Sequence, residues 1–146
     1  MENYRKGSHT IFDCKYHLVW VTKYRYQVLM GEVGVRLREL IRQQCMKNRV
    51  QILKGHVAPE HVHLHVSVPP NIAISKLLQN LKGYSSHKLL QEFKTLSKRY
   101  WGQHLWARDY FVATTGTVTD EVIQQYIAGH ESFEKDDGFT IGHERL

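Results

Sequence analysis

An α+β fold is predicted, an antiparallel sheet with its helices on one face, and two observations carry it. The stretch His61-Val62-His63-Leu64-His65-Val66-Ser67-Val68 alternates strictly, a strand signal because successive side chains of a strand point to opposite faces. The order of elements along the chain is strand, helix, strand, strand, helix, strand, which is the split β-α-β, ferredoxin-like (RRM-like) pattern, with one further helix at the C-terminal end. The 146 residues, 42% hydrophobic and 23% charged, suffice for one ordinary core and are few for two. One domain over 1–146 is expected, with residues 1–10 a loose arm and 136–146 a polar tail.

The elements follow in order. Residues 12–22, FDCKYHLVWVT, are aromatic and β-branched without Gly or Pro and predict a long first strand. Val33, Leu37, Leu40, Ile41 and Cys45 recur at helical spacing and predict a helix over 32–47. VQILKGHV at 50–57 is a second strand, and Ala58-Pro59-Glu60 is a turn short enough to force an antiparallel hairpin with the histidine strand at 61–68. Pro69-Pro70-Asn71 stops that strand. Ile74, Leu77, Leu78 and Leu81 mark a second helix to about Phe93, which Gly83 is expected to interrupt. Residues 100–106 read as a packed aromatic loop, and 108–115 as the fourth strand, ended by Gly116. The last helix starts near Thr119, a plausible N-cap ahead of Asp120 and Glu121, and carries Val122, Ile123, Tyr126, Ile127, His130 and Phe133.

Charge narrows the class of partner. Twenty Lys and Arg against 14 Asp and Glu leave a formal +6, which favours a polyanion such as nucleic acid. Lys15, Lys23 and Arg25 lie among Tyr16, Trp20, Tyr24 and Tyr26, an interleaving that suits single-stranded nucleic acid, where bases stack on rings and cations meet phosphates. A half-buried strand with a charged edge fits that segment equally well. LKGYSSHKL, with Lys82 and Lys88, offers hydroxyl and backbone donors to a phosphate, or is a plain kink. Cys14 and Cys45 have neither zinc-ribbon nor disulfide spacing, no run reaches the roughly 20 apolar residues of a membrane span, and the N-terminus lacks a signal-peptide core. A cytoplasmic protein is expected, with no membrane partner.

The chemistry resides in the histidines and one tyrosine. His61, His63 and His65 line one strand face and suit a metal or a phosphate, although ten histidines in this chain make a chance His-x-His pair unsurprising. Tyr126 and His130, four residues apart, share a helix face where a nucleophile and a ligand can act together. Taken alone, those two residues read more simply as a core tyrosine and a surface histidine.

Five blocks, KYHLVWVTKYR at 15–25, PEHVHLHVSVPP at 59–70, LKGYSSHKL at 81–89, LWARDYFVATTG at 105–116 and QYIAGH at 125–130, together resemble the single-tyrosine HUH transposases of bacterial and archaeal insertion sequences, the TnpA-type enzymes. The resemblance covers about residues 12–130. It implies a DNA transposase that cleaves and rejoins single-stranded DNA at insertion-sequence ends through a 5′-phosphotyrosine. Tyr126 would be the nucleophile, and His61, His63 and His130 would hold Mg²⁺ or Mn²⁺. It also implies hairpin DNA at the element ends as substrate, bound through a basic face that includes some of Lys15, Lys23, Arg25, Lys82 and Lys88. The implied assembly is a homodimer in which the tyrosine helix of one subunit completes the site of the other, hinged at Gly116.

Two positions depart from the family pattern. His130 stands where the family commonly has Gln, and an imidazole is the better ligand for softer divalent ions. His65 stands where the family usually has an apolar residue. His-x-His-x-His is also the mark of histidine-triad nucleotide hydrolases and transferases, in which His63 would attack phosphate, but that reading leaves the other four blocks unexplained. A non-catalytic nucleic-acid module on the same fold is a third reading, and the missing RNP-type block counts against it.

Overall fold

The computed structural model describes residues 4–114 and 120–129. A short hairpin, β1 (Arg5–Lys6) with β2 (Ile11–Phe12), precedes a four-stranded sheet of β3 (Lys15–Val21), β4 (Gln51–Ala58), β5 (His61–Ser67) and β6 (Phe111–Thr114). The strand order is β4-β5-β3-β6, every neighbour antiparallel. With β5 inserted between β3 and β4, this is the ferredoxin-like arrangement expected from the element order. The helices are α1 (Gly31–Lys47), α2 (Ile74–Glu92), a short α3 (Lys94–Arg99) and α4 (Asp120–Ala128).

One sheet face meets α1 and α2. Leu18 and Trp20 of β3 and Val62, Leu64 and Val66 of β5 pack with Leu37, Leu40, Ile41 and Cys45 of α1 and Leu77, Leu78, Leu81, Leu89 and Leu90 of α2. Each such side chain contributes about 1.5–3 kcal/mol on burial, so this layer fixes the alternation of β5. The other face is left for chemistry.

Three expectations are corrected by the structure. The first strand begins at Lys15 rather than residue 12, because Ile11–Phe12 turns away to pair with Arg5–Lys6. Residues 5 and 6 are accordingly not a loose arm. The Arg5 guanidinium donates to the Ser67 carbonyl (3.0 Å) and the Arg49 carbonyl (2.8 Å) and lies 5.0 Å from the centre of the Phe12 ring. Gly83 does not interrupt α2: the helix runs through it because six residues on one side, Leu77 to Leu90, are buried, which outweighs the ~1 kcal/mol propensity cost of one glycine. Residues 94–99 form a helix that no strong apolar period announces. Thr119, Gly116, Phe133 and the 136–146 tail lie outside the described residues.

Burial of Cys45 pushes its thiol up to about 12. Because the folded state disfavours the thiolate, its stability contribution is constant below the unfolded thiol pKa near 9 and is lost as pH rises from there towards 12. A thiol reagent at pH 8 is expected to label the half-exposed Cys14 and to leave the buried Cys45 untouched until the chain unfolds. Equal labelling rates for the two would contradict this packing.

Candidate active site

The face of β5 turned away from the core carries His61, His63 and His65, and strand register brings more imidazoles to them. His63 stands opposite Val19 of β3 and His56 of β4; His65 stands opposite His17 and Lys54. One extra residue in β4, Leu53, breaks the register between Ile52 and Lys54. Beyond it His56 faces the same side as His63.

His65, which the sequence left without a role, lies flat on His17, with ring centres 4.3 Å apart and planes 2° from parallel. His17 Nδ1 in turn is 3.1 Å from His63 Nε2, so one proton is shared between them. Burial, then the neighbouring His17, His61, His56 and His65, hold the His63 imidazole down at about 3. It is neutral throughout the physiological range, which is the form that ligates a metal.

His61 is fully buried. Its Nδ1 is 3.2 Å from Glu60 Oε1, and Glu60 Oε2 is 3.6 Å from Arg25 Nη2. A carboxylate on Nδ1 favours the tautomer with its proton there, leaving the Nε2 lone pair for a ligand. Arg25 reaches Glu60 from a 3₁₀ turn, Lys23–Arg25, in which Tyr24 and Arg25 have φ of 61° and 54°. Left-handed backbone at two successive non-glycine residues is costly. The buried ion pair helps to hold the turn.

Helix α4 lies across this same face. Ile123 and Ile127 pack on Val19, the residue opposite His63, and Phe111 and Tyr126 pack against that cluster. Tyr126 is half-buried, its ring 5.4 Å from Phe111, and its hydroxyl donates to Asp109 Oδ1 at 3.2 Å. Burial first, and then the Asp109 carboxylate, raise this phenol well above its ordinary value. A tyrosine hydroxyl and two ligand-competent imidazoles thus share one face of one sheet.

The family model described as "Transposase IS200 like" matches residues 10–130. The chain belongs to the IS200-like transposase family. The ISDra2 transposase TnpA of Deinococcus radiodurans is 35% identical over 130 residues, covering 89% of this chain and 93% of that protein. The transposase for insertion sequence element IS200 of Salmonella typhimurium is 36% identical over 120 residues, 82% of this chain and 78% of that protein. The crystal structure of a Deinococcus radiodurans R1 chain described as a transposase superposes with a TM-score of 0.81 at 34% identity, covering 88% of this chain and 99% of that one. A structure of the REP-associated tyrosine transposase bound to a REP hairpin matches with a TM-score of 0.53 at 12% identity, over 86% of this chain and 70% of that one. That second likeness is one of fold alone.

In this IS200-like transposase the remaining expected residues fall in different places. His130 lies outside the described residues. Among the described residues no set of three or more His, Cys, Asp or Glu side chains is arranged to hold a metal, and no described helix is long and apolar enough to cross a membrane. Lys15 pairs with Asp13 at 3.1 Å, Lys23 lies 5.3 Å from the centre of the Tyr24 ring, and Lys88 lies 6.0 Å from that of Tyr84. Arg25 is buried against Glu60. Lys82 donates to three backbone carbonyls, Ala107 (2.8 Å), Arg108 (3.2 Å) and Asp109 (2.9 Å), which uses all three of its N–H groups on one loop. The neighbouring serines bind the same stretch of chain: Ser85 Oγ accepts from Trp106 Nε1 (3.0 Å) and Ser86 Oγ from the Leu105 amide (3.2 Å).

Three residues at this site were not singled out from sequence. His17 shares the parity of Lys15 and Val19 in β3, a signal that identifies its face but not its partners. Glu60 adjoins the histidine strand in sequence, and only its burial reveals its part. Asp109 carries no sequence signal that distinguishes it from any loop acid.

Proposed function

We propose that this transposase cleaves and rejoins single-stranded DNA at insertion-sequence ends through a covalent 5′-phosphotyrosine on Tyr126, with Mg²⁺ or Mn²⁺ held by His61, His63 and His130. The observation that supports it most is the packing of Tyr126 against the cluster of Val19, Ile123 and Ile127, whose Val19 stands directly across the β3–β5 ladder from His63. The Tyr126 oxygen attacks the scissile phosphorus, the P–O3′ bond breaks, and a free 3′-hydroxyl leaves. Because the phosphodiester energy is retained in the protein–DNA bond, a 3′-hydroxyl from another strand end can reverse the step and join it without ATP. Phe111 and Val19 orient the ring for the attack.

The donor set suits a metal: two imidazoles on one face, one held neutral by burial and one backed by a carboxylate. When bound, such an ion supplies Lewis-acid polarisation of the phosphate. His17, which shares a proton with His63 Nε2 in this structure, must release that nitrogen for it to ligate. His130→Ala is expected to move the midpoint of a Mn²⁺ titration of activity upward by about tenfold or more, on the scale seen for changes even one shell further out. An unchanged midpoint removes His130 from the site.

The substrate we infer is hairpin DNA, the kind of ligand held in the REP-associated transposase structure. Lys15, Lys23 and Lys88 supply charge, and two rings stand open for stacking, Tyr24 at 59% and Trp101 at 86% exposure. The assembly is a homodimer with shared active sites. In this structure α4 rests on its own chain's sheet, and Gly116 is the proposed hinge for exchange between subunits.

The test is to incubate the protein with single-stranded hairpin DNA from its own element ends and Mg²⁺ or Mn²⁺. A denaturant-resistant adduct mapping by mass spectrometry to Tyr126 is expected. A nucleotide linked to His63 would establish the histidine-triad reading instead. Hairpin binding with no adduct would leave a non-catalytic nucleic-acid module.

A further inference from the structure

We propose that Asp109 is a catalytic residue of strand cleavage, the general base that takes the hydroxyl proton of Tyr126 as its oxygen bonds to phosphorus. This rests on the reading of Tyr126 as the nucleophile.

The geometry comes first. The Tyr126 hydroxyl donates to Asp109 Oδ1 at 3.2 Å, within the reach that proton transfer requires. Asp109 is not left to wander with its loop. The Lys82 ammonium, from α2, grips the carbonyls of 107, 108 and 109 itself, and the Ala107 amide bonds the Val21 carbonyl at the end of β3. The acid is therefore fixed to both the core helix and the sheet that carries the histidines. Phe111, two residues on, packs against the tyrosine ring, with ring centres 5.4 Å apart.

The chain is basic, and the face must receive a phosphodiester, so an exposed carboxylate beside the nucleophile opposes substrate approach. Its presence there calls for a role that offsets the repulsion. It does not act by creating phenolate beforehand, because a nearby carboxylate raises the phenol instead of lowering it. The proton stays on Tyr126 until the P–O bond begins to form, and Asp109 then accepts it.

The step balances. The Tyr126 O–H bond breaks and the proton passes to Asp109; the Tyr126 O–P bond forms; the P–O3′ bond breaks with its electron pair on the 3′-oxygen, which water protonates. In strand transfer the incoming 3′-hydroxyl loses its proton to water as its oxygen bonds to phosphorus, the Tyr126 O–P bond breaks, and protonated Asp109 returns its proton to the departing tyrosine oxygen.

Single-turnover adduct formation with the hairpin DNA and Mn²⁺ tests this in three proteins: wild type, Asp109→Asn and Asp109→Ala. Asp109→Asn keeps an acceptor oxygen of the same shape but cannot take a proton, and is expected to slow adduct formation about 100-fold or more. Asp109→Ala is expected to be equally slow and to recover about tenfold in added formate, a recovery absent from Tyr126→Phe. Circular dichroism melts should coincide for all. An Asn variant within about threefold of wild type overturns the assignment, as does an Ala variant that formate leaves unchanged. A wild-type protein that forms no adduct overturns the transposition chemistry on which the assignment rests.

Discussion

Tyr126→Phe is expected to abolish the protein–DNA adduct, a loss on the order of 10⁴-fold or more, the scale on which removal of a nucleophile acts. The substitution deletes one oxygen and keeps the ring that packs against Phe111 and the Val19 cluster. It removes from the fold the hydrogen bond to an exposed acid, worth less than about 1 kcal/mol. Folding and hairpin affinity should therefore persist while chemistry disappears. Gel-shift titration and a denaturing gel on the same sample separate the two. Adduct formation by the Phe variant at even a hundredth of the wild-type rate would show that another residue attacks the phosphate.

Glu60→Ala is expected to have the largest effect on stability, about 3–5 kcal/mol, the cost of removing one partner of a buried ion pair. Arg25 and Glu60 are 2% and 1% exposed at their side chains, and Glu60 also meets His61. Those side chains have further contacts, so the loss reflects the removed carboxylate and not a wholly stranded charge. Two strained residues, Tyr24 and Arg25, relax with it. Glu60→Gln keeps the volume and one acceptor and should lose less. In chemical denaturation, a Glu60→Ala midpoint within error of wild type would show that the pair contributes nothing net. If folded Glu60→Gln is recovered, its metal affinity is expected to fall about 10–100-fold, since the tautomer of His61 loses its carboxylate support.

Much of the architecture could be read in the sequence because β5 alternates without a fault and the order of elements admits few topologies. Gly83 misled because local propensity is a weak force beside the burial of Leu77 to Leu90, which the alphabet of one helix does not reveal. Lys94–Arg99 was missed because six mostly polar residues carry little periodicity. The family resemblance pointed to Tyr126, His61 and His63, and the structure brings all three to one face of the sheet. It was not readable in its supports, since His17 meets His65 only through a strand ladder 48 positions long in sequence, and Asp109 meets Tyr126 only through a helix docking on the sheet. Lys82 and Arg25 show the complementary limit. Composition counts a cation, but only coordinates show that one amine caps a loop and one guanidinium is buried.

The elevated phenol of Tyr126 has a consequence for the cell as well as for the reaction. Tyr126 is half-buried, protonated at neutral pH and tied to an acid. Electrophiles and oxidants that modify exposed tyrosines meet Tyr24 or Tyr4 first, at 59% and 50% exposure. The hydroxyl is chemically quiet by default, and on the proposed mechanism its reactivity arises only in company with a strand that is positioned to be cut.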